Sequence, residues 1–517
     1  MEIELKLLLD ADAAPALRDH PLISKYALAA PERQTLFTTY FDTPDRYFLK
    51  HRAGLRVRQT ENGWLQTLKD GNTVQGGLHS RNEWEAPVAS GAPDLAALRE
   101  LVGPDSAWHQ RLADPALEQA LAPVFSNRFE RTAWQLAFPG GQTAELALDL
   151  GELERNDVRE PISEIELELK SGDPAPLFDF ALELQRDLPL RIGNESKAAR
   201  GYALLSPQEP PLVKAQALHL DADISAEDAL QAIAGNCLAQ IQGNEAGVAD
   251  SGDPEHVHQM RVGLRRLRSL LKLYRNLAPL PQPLQDEIGW LANELGAARD
   301  WEVLAGSTLA DILGAHGVAG VAEAAELAPL QQQAQAIAKA NRARAAEAVR
   351  SLRYARLMLS LAAWVHGRRW RQDALPEQKA ELAAALKPFA GRVLDQGRRR
   401  LQKRGRHLGQ ADAEERHRLR IAAKRMRYAT EFLGSLYPQR RVKRYVKALS
   451  ALQDTLGLLN DAAVAQGLLR ELAQRQPAQA LGAGIAAGYL LARSETEIGE
   501  LQRQWKALRR IDVPGVR

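Results

Sequence analysis

The hydrophobic period of this chain changes once, near residue 210, and that change restricts what each half can fold into. Before it, the segments IELKLLL, LRVRQT, WLQTLK, NEWEAPV, ERTAWQLAF, TAELALDLGEL and EIELELK alternate apolar and polar residues. That is the period of antiparallel strands with one buried face, and seven or more such strands predict a barrel. After it, stretches rich in Ala, Leu, Gln and Arg run at the helical period, broken by PLPQP near 281 and by LPEQ near 376. This half is expected to be almost entirely helical. Between the two, Ser206 to Gln216 packs three prolines into SPQEPPLVKAQ and reads as a linker. The expected organisation is α+β in two domains, with residues 1–204 and 219–510 joined by a linker at 205–218.

Charge divides at the same place. Residues 1–210 carry 22 Lys and Arg against 33 Asp and Glu, leaving 45 against 32 in the remainder. The two halves therefore face different electrostatic tasks. A chain of 517 residues with 45% hydrophobic and 26% charged residues has material for two or three cores, which excludes a disordered chain. The single cysteine, Cys237, excludes an internal disulfide framework and fits a reducing compartment. MEIELKLLLD places acidic residues where a secretory signal needs basic ones, and no apolar run approaches the roughly 20 residues of a membrane span. A cytoplasmic protein is expected.

The helical half contains an internal repeat. His258-Gln-Met-Arg261-Val-Gly-Leu-Arg265-Arg266-Leu-Arg268 matches His417-Arg-Leu-Arg420-Ile-Ala-Ala-Lys424-Arg425-Met-Arg427 position for position. A second shared element, Leu295-Gly296-Ala-Ala-Arg299-Asp300 and Leu456-Gly457-Leu-Leu-Asn460-Asp461, begins 37 and 39 residues after the respective histidines. Two four-helix bundles related by duplication are expected. At 100° per residue, His258, Arg261, Arg265 and Arg268 share an arc of about 80°, opposite Met260, Leu264, Leu267 and Leu271. His417, Arg420, Lys424 and Arg427 repeat the arc, giving two cation ladders, each about 15 Å long. One basic helix alone is more often a solvated face paired with acidic neighbours, but duplication at matched spacing favours a linear polyanion. Only Tyr274 and Tyr428 lie near these helices, too few aromatics for base stacking, which argues against nucleic acid.

The strand half carries carboxylates in strand register. Glu2, Glu4 and Lys6 project from one strand face, Glu164, Glu166 and Glu168 from another, and Asp149 closes Glu145-Leu-Ala-Leu-Asp149. Each run alone is usually the wet face of a strand. Carboxylates gathered from several strands, without Cys or His clusters, suit Mg²⁺ or Mn²⁺ rather than zinc. Cations share the alternation: Arg56 with Arg58, Lys69 at the end of WLQTLK, Arg81 in the loop-like HSRNE, and Arg128 and Arg131 flanking a strand start. A closed barrel with a polar interior would bring both signs together.

In order, Glu2-Ile-Glu4-Leu-Lys6, Tyr40-Phe-Asp42, Leu55-Arg56-Val-Arg58, Lys69, Glu166-Leu-Glu168 and Ser196-Lys197 resemble the CYTH domain of triphosphate tunnel metalloenzymes. The repeated His-x-x-Arg helices resemble the CHAD domain. The resemblance covers residues 1 to about 204 and about 219 to 510. It implies an eight-stranded antiparallel β-barrel tunnel and an all-α CHAD domain, with metal-dependent hydrolysis of inorganic triphosphate to diphosphate and phosphate. It further implies Glu2, Glu4, Asp149, Glu166 and Glu168 as ligands of Mg²⁺ or Mn²⁺, with Glu166 and Glu168 ahead of Glu164. Lys6, Arg56, Arg58, Lys69, Arg81, Arg131 and Lys197 would bind phosphate oxygens, and Lys197, Glu166 and Glu168 would serve catalysis. Polyphosphate is the expected ligand of His258, Arg261, Arg265, Arg266, Arg268, His417, Arg420, Lys424, Arg425 and Arg427, with polyphosphate granules as a place for the protein. CYTH barrels also include thiamine triphosphatases, RNA triphosphatases and class IV adenylate cyclases. The appended helical half favours inorganic triphosphate over these, and a granule-binding protein with a silent barrel is the non-enzymatic alternative.

Overall fold

A computed structural model describes residues 2–61, 63–205, 209–316 and 321–516. Ser206, Pro207 and Gln208 of the expected linker lie outside the described residues. The chain forms two compact units: Met1–Glu209 with Ser351–Arg369, and Pro210–Arg350 with Trp370–Arg517.

The first unit is a barrel. Its strands are β1 (Glu2–Leu8), β2 (Glu32–Asp42), β3 (Gly54–Thr60), β4 (Gly63–Gln75), β5 (Leu78–Val88), β6 (Ala122–Ala137), β7 (Thr143–Arg155) and β8 (Val158–Ser171). They run in the order β5-β4-β3-β2-β6-β7-β8-β1, all antiparallel, and β1 pairs again with β5 through Glu2–Arg81 to Leu5–Leu78, closing the sheet. A two-residue strand, β9 (Arg191–Ile192), adds to β1. The alternation turns one set of charged residues inward and most of the strands' large apolar residues outward. Leu5, Leu7, Leu146, Leu148, Ile165 and Leu167 form an outer apolar face covered by helix α1 (Ala175–Leu184), through Leu177, Phe178, Ala181 and Leu184. Leu55, Val57 and Leu68 are covered by the segment from Leu95 to Leu117, with Trp108 stacked on Phe48. Each fully buried Leu on these faces contributes about 1.5–3 kcal/mol. A third cluster, Tyr40, Phe125, Phe129, Leu153, Ile162 and Tyr202, seats helix α2 (Lys197–Ala203). Gly201 is required there, because a Cβ would stand 2.0 Å from the Phe125 ring.

The second unit contains helices α3 (Ala226–Gln242), α4 (Pro254–Leu273), α5 (Gln282–Val303) and α6 (Val321–Arg350). The intervening α7 (Leu352–His366) packs on the first unit, where Leu359, Ala362 and Ala363 join the apolar cover of the barrel and His366 stacks on Phe178. The second unit resumes with α8 (Leu386–Arg404), α9 (Ala413–Leu433), α10 (Gln439–Arg475) and α11 (Ala480–Leu508). In each set of four, the first helix packs on the second, the second on the third and the third on the fourth, as duplication requires. The repeat helices α4 and α9 pack on each other. Both begin at an aspartate cap: Asp253 accepts from Glu255 N at 2.8 Å, and Asp412 accepts from Glu415 N at 2.7 Å while Glu415 returns a bond to Asp412 N. No described helix is long and apolar enough to cross a membrane.

Candidate active site and the cation-rich helices

The barrel interior holds a cavity of about 540 Å³ whose walls include Glu2, Glu4, Lys6, Arg56, Arg58, Lys69, Arg81, Arg131, Glu166, Glu168 and Lys197. Strand register explains the convergence. Glu4 lies opposite Glu168, Lys6 opposite Glu166, Arg131 opposite Asp149, and Glu2 opposite Arg81. Arg81 thus lies within β5, not in a loop, and Arg131 lies in the middle of β6, with Arg128 turned outward and exposed.

At one wall Lys6 Nζ reaches Glu164 at 2.7 Å and Glu166 at 2.5 Å. Lys197 Nζ reaches Asp149, Glu164 and Glu166 at 2.6, 2.5 and 3.0 Å. Arg131 makes a two-pronged contact with Asp149, at 2.8 and 2.7 Å, and reaches Glu166 at 2.6 Å. Burial works against all these charges, but mutual attraction outweighs it: Lys197 and Arg131 are held above their ordinary values, and Asp149, Glu164 and Glu166 below theirs. At the other wall Arg81 bridges Glu2 and Glu4 at 2.7 and 2.6 Å, and Lys69 meets Glu2 at 3.0 Å and Glu83 at 2.9 Å. Burial pushes the Glu2 carboxyl up, yet Lys69 and Arg81 bring it down to about 2.

Arg58 differs from these. It donates to Thr38 Oγ1 at 3.3 Å and has no ion pair among the described residues. Burial, then the charges of Arg56 and Arg131, push it down to about 9, so it stays cationic at neutral pH with its charge poorly compensated.

Asp149, Glu164 and Glu166 offer carboxylate oxygens within 4.8 Å of one another, a donor set that fits a hard divalent cation. Glu164 is fully buried in this cluster, whereas Glu168 lies nearer Glu4 and Glu145 and pairs with Lys170 at 2.7 Å. Burial, and to a smaller extent Glu2 and Glu145, raise the Glu168 carboxyl above its ordinary value despite Lys170. Negative charge therefore accumulates there too, and a bound cation would relieve it. Glu83 and Glu85 also line the cavity, with Arg56 at 3.5 and 3.8 Å. Their Glu-x-Glu alternation in Asn-Glu-Trp-Glu was the available signal.

In the helical unit the second shared element packs against the first. Asp300 lies 3.6 Å from Arg261, Asp461 3.9 Å from Arg420, and Asn460 bonds His417 at 3.1 Å. Arg265, Arg420 and Lys424 face one another closely enough that burial, then Arg265 and Arg420, push the Lys424 ammonium down to about 7. Arg266 does not join this face. It is 4% exposed and donates to Gln240 at 2.8 Å and Asn236 at 2.7 Å. Helical geometry explains this, since Arg266 falls well outside the arc shared by Arg261, Arg265 and Arg268.

Comparison with known proteins finds two families along the chain. Residues 1–202 match the CYTH domain and residues 232–470 the CHAD domain. An inorganic triphosphatase of Haemophilus influenzae is 36% identical over 208 residues, 40% of this chain and 56% of that protein. An uncharacterised protein of Mycobacterium tuberculosis is 30% identical over 293 residues, 52% of each chain. The chain thus spans about half the length of these curated relatives. The crystal structure of the CHAD domain from the plant Ricinus communis superposes with a TM-score of 0.52 at 43% identity, covering 59% of this chain and 98% of that one. A charged tunnel inside a closed eight-stranded barrel, followed by a duplicated helical unit, accords with both matches, and the chain belongs to the proteins that join a CYTH domain to a CHAD domain.

Proposed function

We propose that the CYTH unit hydrolyses inorganic triphosphate to diphosphate and phosphate with Mg²⁺ or Mn²⁺, and that the CHAD unit binds polyphosphate. The observation that carries the first reading is the convergence of seven cations, Lys6, Arg56, Arg58, Lys69, Arg81, Arg131 and Lys197, on one cavity walled by carboxylates. The triphosphatase relative, aligned over a length close to that of the barrel unit, supports it.

The arrangement suits an exchange of partners. Without substrate, cations and carboxylates neutralise each other across the tunnel. A triphosphate would take the cations through charge-assisted hydrogen bonds, releasing Glu2, Glu4, Asp149, Glu164, Glu166 and Glu168 to hold the metal. In the reaction a water oxygen bonds to the terminal phosphorus, the bond to the bridging oxygen breaks with its electron pair leaving on diphosphate, and the proton the water gives up passes to the departing diphosphate oxygen. Arg58, Arg131 and Lys197 would neutralise charge developing on the phosphoryl oxygens. The metal, when bound, would polarise those oxygens and lower the pKa of its water. For the CHAD unit, the support is the cation-rich face around Arg261, Arg265, Arg420 and Lys424, which suits a chain of phosphates.

Phosphate release from inorganic triphosphate, ATP, thiamine triphosphate and long-chain polyphosphate tests the first reading. Release confined to inorganic triphosphate is expected. Cyclic AMP from ATP would instead make the barrel a cyclase, and binding without turnover would make the protein a polyphosphate binder.

A further inference from the structure

The duplication in the helical unit is imperfect, and the break carries charge. Eight residues after the repeat histidine stands Arg266 in one copy and Arg425 in the other; fourteen after it, Lys272 in one and Glu431 in the other. In the first case the guanidinium is enclosed. Arg266 donates to Asn236 and Gln240 and lies 5.5 Å over the Phe432 ring, and together with Arg427, which is 3.6 Å from Glu431, it offsets the upward push of burial on the Glu431 carboxyl.

In the second case the same position opens onto a pocket of about 80 Å³ between α4, α8 and α9, lined by Lys272, Arg275, Arg400 and Arg425. Gln396 and Arg400 stand there in place of Asn236 and Gln240, so a cation replaces a neutral acceptor. None of the four cations pairs with a carboxylate within 4 Å among the described residues. The charges acting on Arg425 are those of Arg400, Arg275 and Arg268, and on Lys272 those of Arg275, Arg425 and Arg400, all positive. One copy has thus enclosed its arginine between neutral acceptors and placed a carboxylate in its field, while the other has gathered four cations around a hollow with no carboxylate within 4 Å among the described residues.

We propose that this pocket binds a compact phosphoryl anion, either inorganic phosphate or the terminal phosphate of a chain. A pocket of about 80 Å³ has room for a tetrahedral oxyanion among the four cations. Three guanidiniums and one ammonium supply forked and point donors that match phosphate oxygens. The site is distinct from the face around Arg261 and Arg420 and does not depend on a chain lying there.

The test is calorimetric titration of the full chain with inorganic phosphate and, separately, long-chain polyphosphate, in wild type, Lys272→Glu, Arg400→Gln and Lys379→Gln. Lys272→Glu installs the counter-charge that Glu431 provides in the other copy, and Lys272, Arg400 and Lys379 are exposed, so folding is preserved. Lys379 lies outside the pocket, and Lys379→Gln controls for the unit charge lost in Arg400→Gln. At least a tenfold loss of phosphate affinity in both pocket variants, with Lys379→Gln unchanged, identifies free phosphate as the ligand. The same loss seen only with polyphosphate identifies a chain end. Unchanged affinity for both probes in Lys272→Glu and Arg400→Gln, or an equal loss in Lys379→Gln, overturns the site.

Discussion

Lys197 and Asp149 lie 48 residues apart in sequence, yet the ammonium rests 2.6 Å from the carboxylate, where it also meets Glu164 and Glu166. This lysine is the first residue of α2 and is 7% exposed, so it neutralises three enclosed carboxylates. Lys197→Gln leaves them, among the described residues, with Lys6, Arg131 and Arg200, and a buried pair broken in this way costs about 3–5 kcal/mol. The variant is expected to melt lower than wild type and to recover more stability from added Mg²⁺, measured by calorimetry across a metal titration. Equal metal sensitivity of the two proteins would contradict the account.

Arg58 gives the opposite pattern. Its charge is held in the cavity against burial and against Arg56 and Arg131, with Thr38 as its hydrogen-bond partner. Arg58→Gln is therefore expected to leave the melting temperature unchanged or higher while raising KM for triphosphate at least tenfold. Steady-state kinetics with a thermal melt checks both halves of the prediction.

Much of the tunnel is legible in the sequence because a strand's period of two sorts residues onto faces without knowledge of the fold. Glu2, Glu4, Lys6, Arg56, Arg58 and Glu166 could each be placed by alternation, as could the closure of many such strands into a barrel. Period does not encode depth along the tunnel. Glu164, Glu166 and Glu168 look equivalent in sequence, and only the register with β1 and β7 puts Glu164 beside Asp149 and Glu168 beside Glu145. Helix partners are equally silent. Leu352–His366 has the helical period of its neighbours, yet packs on the barrel, and Arg266 matches Arg425 in the repeat while meeting different residues.

Gly201 links packing to the site. Any side chain there meets the Phe125 ring, and relieving the clash moves α2 and with it Lys197. Gly201→Ala should cost about 1–3 kcal/mol by overpacking and lower kcat more than it raises KM. Circular dichroism and kinetics on the same preparation distinguish this from unfolding.

Lys424 gives the polyphosphate proposal a pH signature. Its ammonium, ordinarily near 10.5, is brought to about 7 by burial and by Arg265 and Arg420. A bound polyanion favours the charged form, so binding takes up a proton above pH 7 and affinity falls as pH rises from 7 to 9, while below pH 6 this group contributes no slope. Lys424→Arg, charged throughout, should flatten the curve. A steep curve retained in that variant would assign the dependence elsewhere.

The central claim is that carboxylates and cations in the barrel act together on triphosphate. Its most direct test is the initial rate of phosphate release from inorganic triphosphate as Mg²⁺ or Mn²⁺ is titrated, in wild type and in Glu4→Ala. The account predicts a rate that saturates with metal in wild type and falls at least a hundredfold in the variant with the fold retained. No metal-dependent release from wild type, or equal rates in the two proteins, would contradict it.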